Sequence, residues 1–232
     1  MKFGIIVFPG SNCDRDVVMV VRDLLQHPTR MVWHEDNDLS DLDVVIIPGG
    51  FSYGDYLRCG AIARFSAAMQ ATIKHAEQGK FVLGVCNGFQ ILTEAGLLPG
   101  ALIRNRDLHF ICDRTPLRVE RTNVAWTQNY QSGEIITLPI AHGEGCYYAD
   151  ADTLAQLEEH GQILFRYCTP TGEVTEAGNP NGSLHNIAGI CNRQGNVLGV
   201  MPHPERAADP MLGNVHGIKL FEGLLERVMA IA

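Results

Sequence analysis

Three short apolar runs, each closed by turn residues or passing straight into a helical pattern, constrain this chain more than any other feature. Residues 2–8 (KFGIIVF) run into Pro9-Gly10-Ser11-Asn12, Val44–Ile47 stops at Pro48-Gly49-Gly50, and Phe81–Val85 leads into Cys86-Asn87-Gly88, while Thr29–Trp33 reads as a further short strand, second in order. Runs of this length suit buried strands rather than helices. Between them lie helical spacings: Val17, Val18, Val20, Val21, Leu24 and Leu25 within 14–26, behind a cap at Ser11 or Asn12, and Ala61–Glu77, ended by Gly79. β-Branched strands that are apolar on both sides and alternate with helices predict an α/β fold with an open, mostly parallel central sheet covered by helices on both faces.

The second half reads differently. Leu117–Arg121, Val124–Trp126, Ile135–Ala141, Gly161–Tyr167, Ile187–Asn192 and Asn196–Met201 are short strand candidates, which predicts antiparallel additions to the sheet. Asn214–Ile231 reads as a terminal helix, and the Pro/Gly/Asn-rich stretch 169–183 as a surface loop or flap. With 232 residues, no internal repeat and no long linker, one domain over 1–232 is expected.

Composition excludes several function classes. Lys plus Arg number 18 against 26 Asp plus Glu, a net charge of −8, which argues against gripping a nucleic-acid backbone or an anionic membrane. No apolar run approaches the roughly 20 residues of a spanning helix, and the N-terminal run lacks the small-residue cleavage pattern of a signal peptide. The seven cysteines (13, 59, 86, 112, 146, 168 and 191) are odd in number and nowhere spaced C-x-x-C, so reduced thiols in a cytoplasmic protein are expected, with no metal site.

One cysteine stands apart. Gly84-Val85-Cys86-Asn87-Gly88 lies where a strand ends, and Phe89–Glu94 continues as a helix. This G-x-C-x-G pattern is the thiol form of a nucleophile elbow, in which a sharp turn lifts the side chain above the sheet edge and the flanking glycines remove the clash. The sulfur then sits at a helix N-terminus, where the dipole favours thiolate, and the Asn87 N–H faces a developing oxyanion. Gly50 and Phe51, directly after the third strand, are candidates for further oxyanion donors. A buried structural cysteine and an ordinary turn fit the same letters.

A thiol nucleophile needs a base. Of nine histidines, His203 is distinguished by Met201-Pro202-His203-Pro204-Glu205. Two prolines should keep this segment extended, so that Glu205, two positions on, points with His203 and selects its tautomer. His142 in His142-Gly143-Glu144 has the same spacing without the prolines and reads as a wall of the site. Cys13 and Cys59 lie in turn-rich segments near strand ends, as possible neighbours of the site, and His185 reads as loop structure.

With these segments assembled, the chain resembles the class I (triad) glutamine amidotransferases, whose fold is flavodoxin-like. Within them it is most similar to the glutaminase subunits of phosphoribosylformylglycinamidine synthases. Carrying the resemblance are Val7–Asp14 (VFPGSNCD), Pro48–Arg58 (PGGFSYGDYLR), Gly84–Gln90 (GVCNGFQ), Ile140–Gly145 (IAHGEG), Asn179–Ser183 (NPNGS) and Met201–Arg206 (MPHPER). The resemblance implies attack of Cys86 on the glutamine side-chain amide, proton transfer by His203 oriented by Glu205, an oxyanion held near Gly50, Phe51 and Asn87, and glutamine seated by Gln90 with His142 at the wall. It also implies two partners, a large ATP-using synthetase subunit with a small third subunit. Neither G-x-x-x-x-G-K-[ST] nor G-x-G-x-x-G follows a strand, so ATP and magnesium are expected at the synthetase and no cofactor on this chain. Two other readings remain at this point: a Cys-elbow DJ-1/PfpI-like hydrolase or redox sensor, needing no His-Pro-Glu, and a non-catalytic assembly subunit.

Overall fold

The computed structural model describes residues 1–229. The first half follows the strand–helix alternation closely. β1 (Phe3–Val7) leads into α1 (Asp14–Val18), which widens into π-helical turns over Met19–Leu24. The cap of α1 is Cys13, without a side-chain bond to the helix, rather than Ser11 or Asn12. The Ser11 hydroxyl instead accepts from the Phe8 N–H inside the preceding turn. β2 (Thr29–Trp33) and β3 (Val44–Ile47) have the predicted bounds. The helix expected from Ala61 is broken at Ser66, whose extended backbone ends a short 3-10 turn (Ala63–Phe65) and whose hydroxyl caps α2 (Ala67–Glu77) by accepting from Met69 N–H. β4 (Phe81–Val85) then turns directly into α3 (Asn87–Glu94).

After α3 the chain forms β5 (Ala101–Ile103), β6 (Ile111–Val119), β7 (Ile135–His142), β8 (Cys146–Tyr148), α4 (Ala151–Glu159), β9 (Ile163–Tyr167), β10 (Ile187–Cys191), β11 (Val197–Val200) and α5 (Ile218–Met229). Three expectations need correction. Val124–Trp126 is a turn, held by the buried Trp126, whose indole N–H donates to Gly195 O. α4 and the small β5–β8 pair were not expected. The terminal helix begins at Ile218, not Asn214, and its expected last residues, Ala230 and Ile231, lie outside the described residues.

Nine strands form one sheet in the order β2-β1-β3-β4-β11-β10-β9-β6-β7. The first five are parallel and the last four add antiparallel pairings. All four residues of β3 and of β11 are buried, as expected of strands covered on both faces. Each Val, Ile or Leu so removed from water contributes roughly 1.5–3 kcal/mol. Among the described residues no helix is long and apolar enough to cross a membrane.

This topology positions the site. β1, β3, β4 and β11 all end at one sheet edge, where α/β proteins gather functional loops. In a flat sheet five strand spacings would put β7 roughly 24 Å from β4. Instead the Cys86 sulfur lies 3.7 Å from Ala141 O, and His203 N–H donates to Pro139 O at 2.8 Å. The antiparallel half therefore curls back and brings the end of β7 over the parallel edge.

Candidate active site

Cys86 occupies the bend between β4 and α3 with φ 51° and ψ −106°. A non-glycine residue there is strained, and the fold holds it in place from both sides. A Cβ on Gly84 would lie 2.6 Å from Gly88 O, and one on Gly88 would lie 1.9 Å from Ile47 O. The first glycine of G-x-C-x-G therefore admits the turn, and the second admits the neighbouring strand β3. Gly49 opens the centre of the site, since a Cβ there would come 2.8 Å from His203 Cε1, 3.0 Å from Cys13 Sγ and 3.4 Å from Cys86 Cβ. Its missing side chain leaves the space in which these groups converge.

His203 and Glu205 meet, though not as extended chain. Pro204 opens a 3-10 turn (Pro204–Ala207), and the turn folds Glu205 back so that its Oε1 lies 2.6 Å from His203 Nδ1. Proline at the first position of a turn promotes this bend, which is why the extended expectation fails while the pairing holds. His203 is 1% exposed and Glu205 0%, and His203 Nε2 has no partner among the described residues. Burial opposes the charged imidazole, but the Glu205 carboxylate and then the Cys86 sulfur outweigh it and hold His203 well above its ordinary pKa. The carboxylate accepts the Nδ1 proton, leaving Nε2 to act.

The N–H groups of Gly50 and Asn87 have no acceptor among the described residues, as oxyanion donors require. Phe51 differs from its expected role. Its N–H donates to Gly10 O at 2.9 Å, because Gly50, at φ 145°, lets the loop pair with the Gly10–Ser11 turn. Phe51 instead contributes a ring, 46% exposed, to the cavity wall. Gln90 is tied at both ends: its Oε1 accepts from Asn87 Nδ2 at 2.9 Å and its Nε2 donates to Glu144 O at 2.6 Å. Asn87 Oδ1 in turn accepts from Ser52 N–H, so one chain of bonds ties α3 to the segments at Ser52 and Glu144 around Cys86.

His142 is buried, with Nδ1 3.2 Å from Asn105 Oδ1. Asn105 Nδ2 donates to His109 O and His142 O, so Oδ1 is the acceptor and the proton sits on Nδ1. Burial, and then the charge of His203, pushes His142 down to about 4, so it is neutral near pH 7. The 169–183 stretch begins as a surface loop but ends buried: Asn181 Nδ2 donates to Gly145 O at 2.8 Å, pinning the segment beside His142. Asn105, Asn181 and Arg206 were not singled out as site residues, and only the N-P-N-G-S and H-P-E-R segments signalled two of them.

Two hollows meet at Cys86 and share Gly50, Phe51, Phe110 and Ala141. The larger, about 190 Å³, adds Asp55, Cys59, Gln90, His142 and Glu144. Burial raises the Asp55 carboxyl, and burial with the Asp55 and Glu144 carboxylates pushes the Cys59 thiol up. The smaller, about 90 Å³, adds Asn12, Cys13, His203 and Arg206. There the Arg206 guanidinium donates to Cys13 Sγ at 3.1 Å and to Asp16 Oδ2 at 3.1 Å. Cys13, His203 and Glu205 bring metal-type donor atoms within 4.8 Å of one another, but the Glu205–His203 bond and the guanidinium on Cys13 commit all three to other partners.

Known proteins resemble this chain in both sequence and fold. Residues 1–221 match the CobB/CobQ-like glutamine amidotransferase domain family. The chain is 75% identical to the phosphoribosylformylglycinamidine synthase subunit PurQ of Acaryochloris marina over 230 residues, covering 99% of this chain and 98% of that protein. It is 72% identical to the PurQ subunit of Trichormus variabilis, with full coverage of both. The structure of PurLQS from Thermotoga maritima superposes with a TM-score of 0.87 at 40% identity, covering 98% of both chains. A glutamine amidotransferase from Thermotoga maritima, at 14% identity, 98% coverage of this chain, 97% of that one and a TM-score of 0.61, shares the fold. The chain thus belongs to the CobB/CobQ-like glutamine amidotransferase family and, within it, to the PurQ subunits of phosphoribosylformylglycinamidine synthase.

Proposed function

We propose that this chain is the glutaminase subunit of a cytoplasmic phosphoribosylformylglycinamidine synthase, with Cys86 as nucleophile, His203 as proton carrier and Glu205 as the group that orients it. The observation that carries the reading is the strained Cys86 elbow sharing a cavity with the buried His203–Glu205 pair. The comparisons with PurQ subunits and PurLQS support the assignment to this synthase.

The chemistry follows from the placement. The Cys86 thiolate attacks the side-chain carbonyl carbon of glutamine, a C–S bond forms, and the displaced electron pair moves to oxygen facing the Gly50 and Asn87 N–H groups. On collapse the C–N bond breaks. The His203 imidazolium gives its Nε2 proton to the leaving nitrogen, which departs as ammonia and leaves a γ-glutamyl thioester. Water then attacks, His203 takes its proton, and the C–S bond breaks to return thiolate and release glutamate. Glutamine occupies the larger hollow, against Gln90 and His142.

The ammonia passes to a large synthetase subunit, which a small third subunit joins in the complex. The synthetase uses ATP and magnesium to convert formylglycinamide ribonucleotide to formylglycinamidine ribonucleotide. The absence of a phosphate-binding motif from this sequence supports placing ATP there rather than on this chain. Treating the assembled complex with a diazo-ketone analogue of glutamine, followed by peptide mapping, tests the site. Label on Cys86, lost in Cys86→Ser, is expected; label on Cys13 or Cys59 instead would overturn the assignment.

A further inference from the structure

We propose that Asp55 reads the α-ammonium group of glutamine and so sets the preference of the larger hollow for a free amino acid. The inference rests on the glutaminase reading and adds the group that recognises the charged end of the substrate. Asp55 and Cys86 line one hollow of about 190 Å³, so a single small molecule can touch both. Gln90, in the same wall, is uncharged and already engaged: its Oε1 accepts from Asn87 Nδ2 and its Nε2 donates to Glu144 O. No lysine or arginine lines the hollow among the described residues. Glu144, the other carboxyl there, has Arg104 Nε 3.7 Å from its Oε1, whereas Asp55 Oδ1 is buried without a partner among the described residues. A buried carboxylate without a cation is costly, and an ammonium group removes that cost. Burial above all raises the Asp55 carboxyl above its ordinary pKa, and a bound ammonium would draw it back down.

His142 supplies an independent sign of the ligand. It is 3% exposed, lines the same hollow, and carries its proton on Nδ1, so its unpartnered Nε2 is a second acceptor. Two unmet acceptors call for a ligand rich in N–H donors, which the amide and ammonium groups of glutamine provide. The N–H groups of Gly143 and Glu144, on the same wall, have no acceptor among the described residues and suit the α-carboxylate. The backbone around Asp55 is shaped for this placement. Tyr53, Asp55 and Leu57 take left-handed φ values of 53°, 54° and 69°, in a segment pinned by the Ser52 N–H on Asn87 Oδ1 and by the Tyr53 hydroxyl 2.7 Å from His34 Nδ1. Such strain, held by its surroundings, gathers at functional sites. It turns Asp55 into the hollow while Tyr56 and Leu57, 75% and 85% exposed, stay outside.

Two variants in the assembled synthase test this. Asp55→Asn removes the charge and suits the left-handed backbone, which asparagine tolerates, and Asp55→Gly keeps the turn without a side chain. The substrates are L-glutamine and glutaramate, the same molecule without its α-amino group. Release of glutamate or glutarate is measured on complex recovered intact by gel filtration. Loss of a charge-assisted bond made equally before and during the reaction is expected to raise the KM for glutamine by roughly 10- to 100-fold in either variant, with kcat within about threefold. The preference for glutamine over glutaramate in kcat/KM should fall by roughly the same factor. A glutamine KM within about threefold of the unsubstituted complex in both variants, a raised KM with the preference intact, or failure of both complexes to assemble would overturn the proposal. Absence of glutamate release from the unsubstituted complex would refute the glutaminase reading instead.

Discussion

Replacing Glu205 by Gln keeps the shape of the side chain and removes its charge. Glu205 Oε1 lies 2.6 Å from His203 Nδ1 in a site closed to water, and Oε2 has no partner among the described residues. Imidazolium forms or persists in both halves of the reaction, so the carboxylate acts where charge develops. A hydrogen bond to a charged group contributes about 1.5–3 kcal/mol, and in a water-excluded site the upper value applies. At 1.36 kcal/mol per decade, a loss of about 3 kcal/mol lowers the rate of glutamate release by roughly 150-fold. The pH profile should move as well. Without the carboxylate, burial is opposed only by the neighbouring sulfurs, led by Cys86, so the His203 pKa falls and the limb of the profile that reports its protonation shifts to lower pH. The assay is the initial rate of glutamate release by the intact complex between pH 6 and 9. A variant within about threefold of the unsubstituted rate across that range, with an unshifted profile, would refute the role given to Glu205.

Gly88→Ala should destabilise the fold, because its Cβ would lie 1.9 Å from Ile47 O, a backbone atom of a central strand. A cost of about 2–3 kcal/mol, or a fall in Tm of roughly 4–12 °C, is expected by calorimetry. His142 is held at about 4, below the ordinary value near 6.5, so the folded chain binds fewer protons than the unfolded chain between these limits and loses stability as pH falls through them. His142→Gln removes that loss, and urea unfolding at pH 7 and pH 5 should show a drop smaller by about 2 kcal/mol than in the unsubstituted chain. Asn181→Ala removes the bonds to Gly145 O and Ser183 and should quicken amide exchange over 179–183, measured by mass spectrometry.

β3 and β4 were legible because strands buried on both faces read as unbroken apolar runs, whereas β2 (TRMVW) is an edge strand with Val32 alone buried. β2, β3 and β4 have the expected bounds. α4 was hidden because only Leu154 and Leu157 anchor it, too few for a helical stripe, although Asp150, which caps it by accepting from Thr153 N–H, was a readable start signal. Trp126 misled in the other direction, since an apolar triplet around a buried indole reads as strand whether or not the backbone pairs. At the site, Cys86, His203 and Glu205 were legible because glycines and prolines punctuate them. The Phe51 N–H was misassigned because its acceptor, Gly10 O, comes from another turn. Arg206 was signalled only as the end of the M-P-H-P-E-R segment; its reach back to Asp16 and Cys13 left no local pattern, because that contact exists only once the first and last strands of the parallel half share one edge.

β11, among the last segments to leave the ribosome, is not an edge strand: it inserts between β4 and β10. The elbow that presents the thiol lies early in the chain, while its imidazole follows β11. A nascent or truncated polypeptide can therefore form the bend but holds no His203–Glu205 pair beside it, and the centre proposed for hydrolysis comes into being only with the closing insertion of the sheet. On the proposed mechanism, topology alone keeps unfinished chains from releasing ammonia, with no separate inhibitory segment needed.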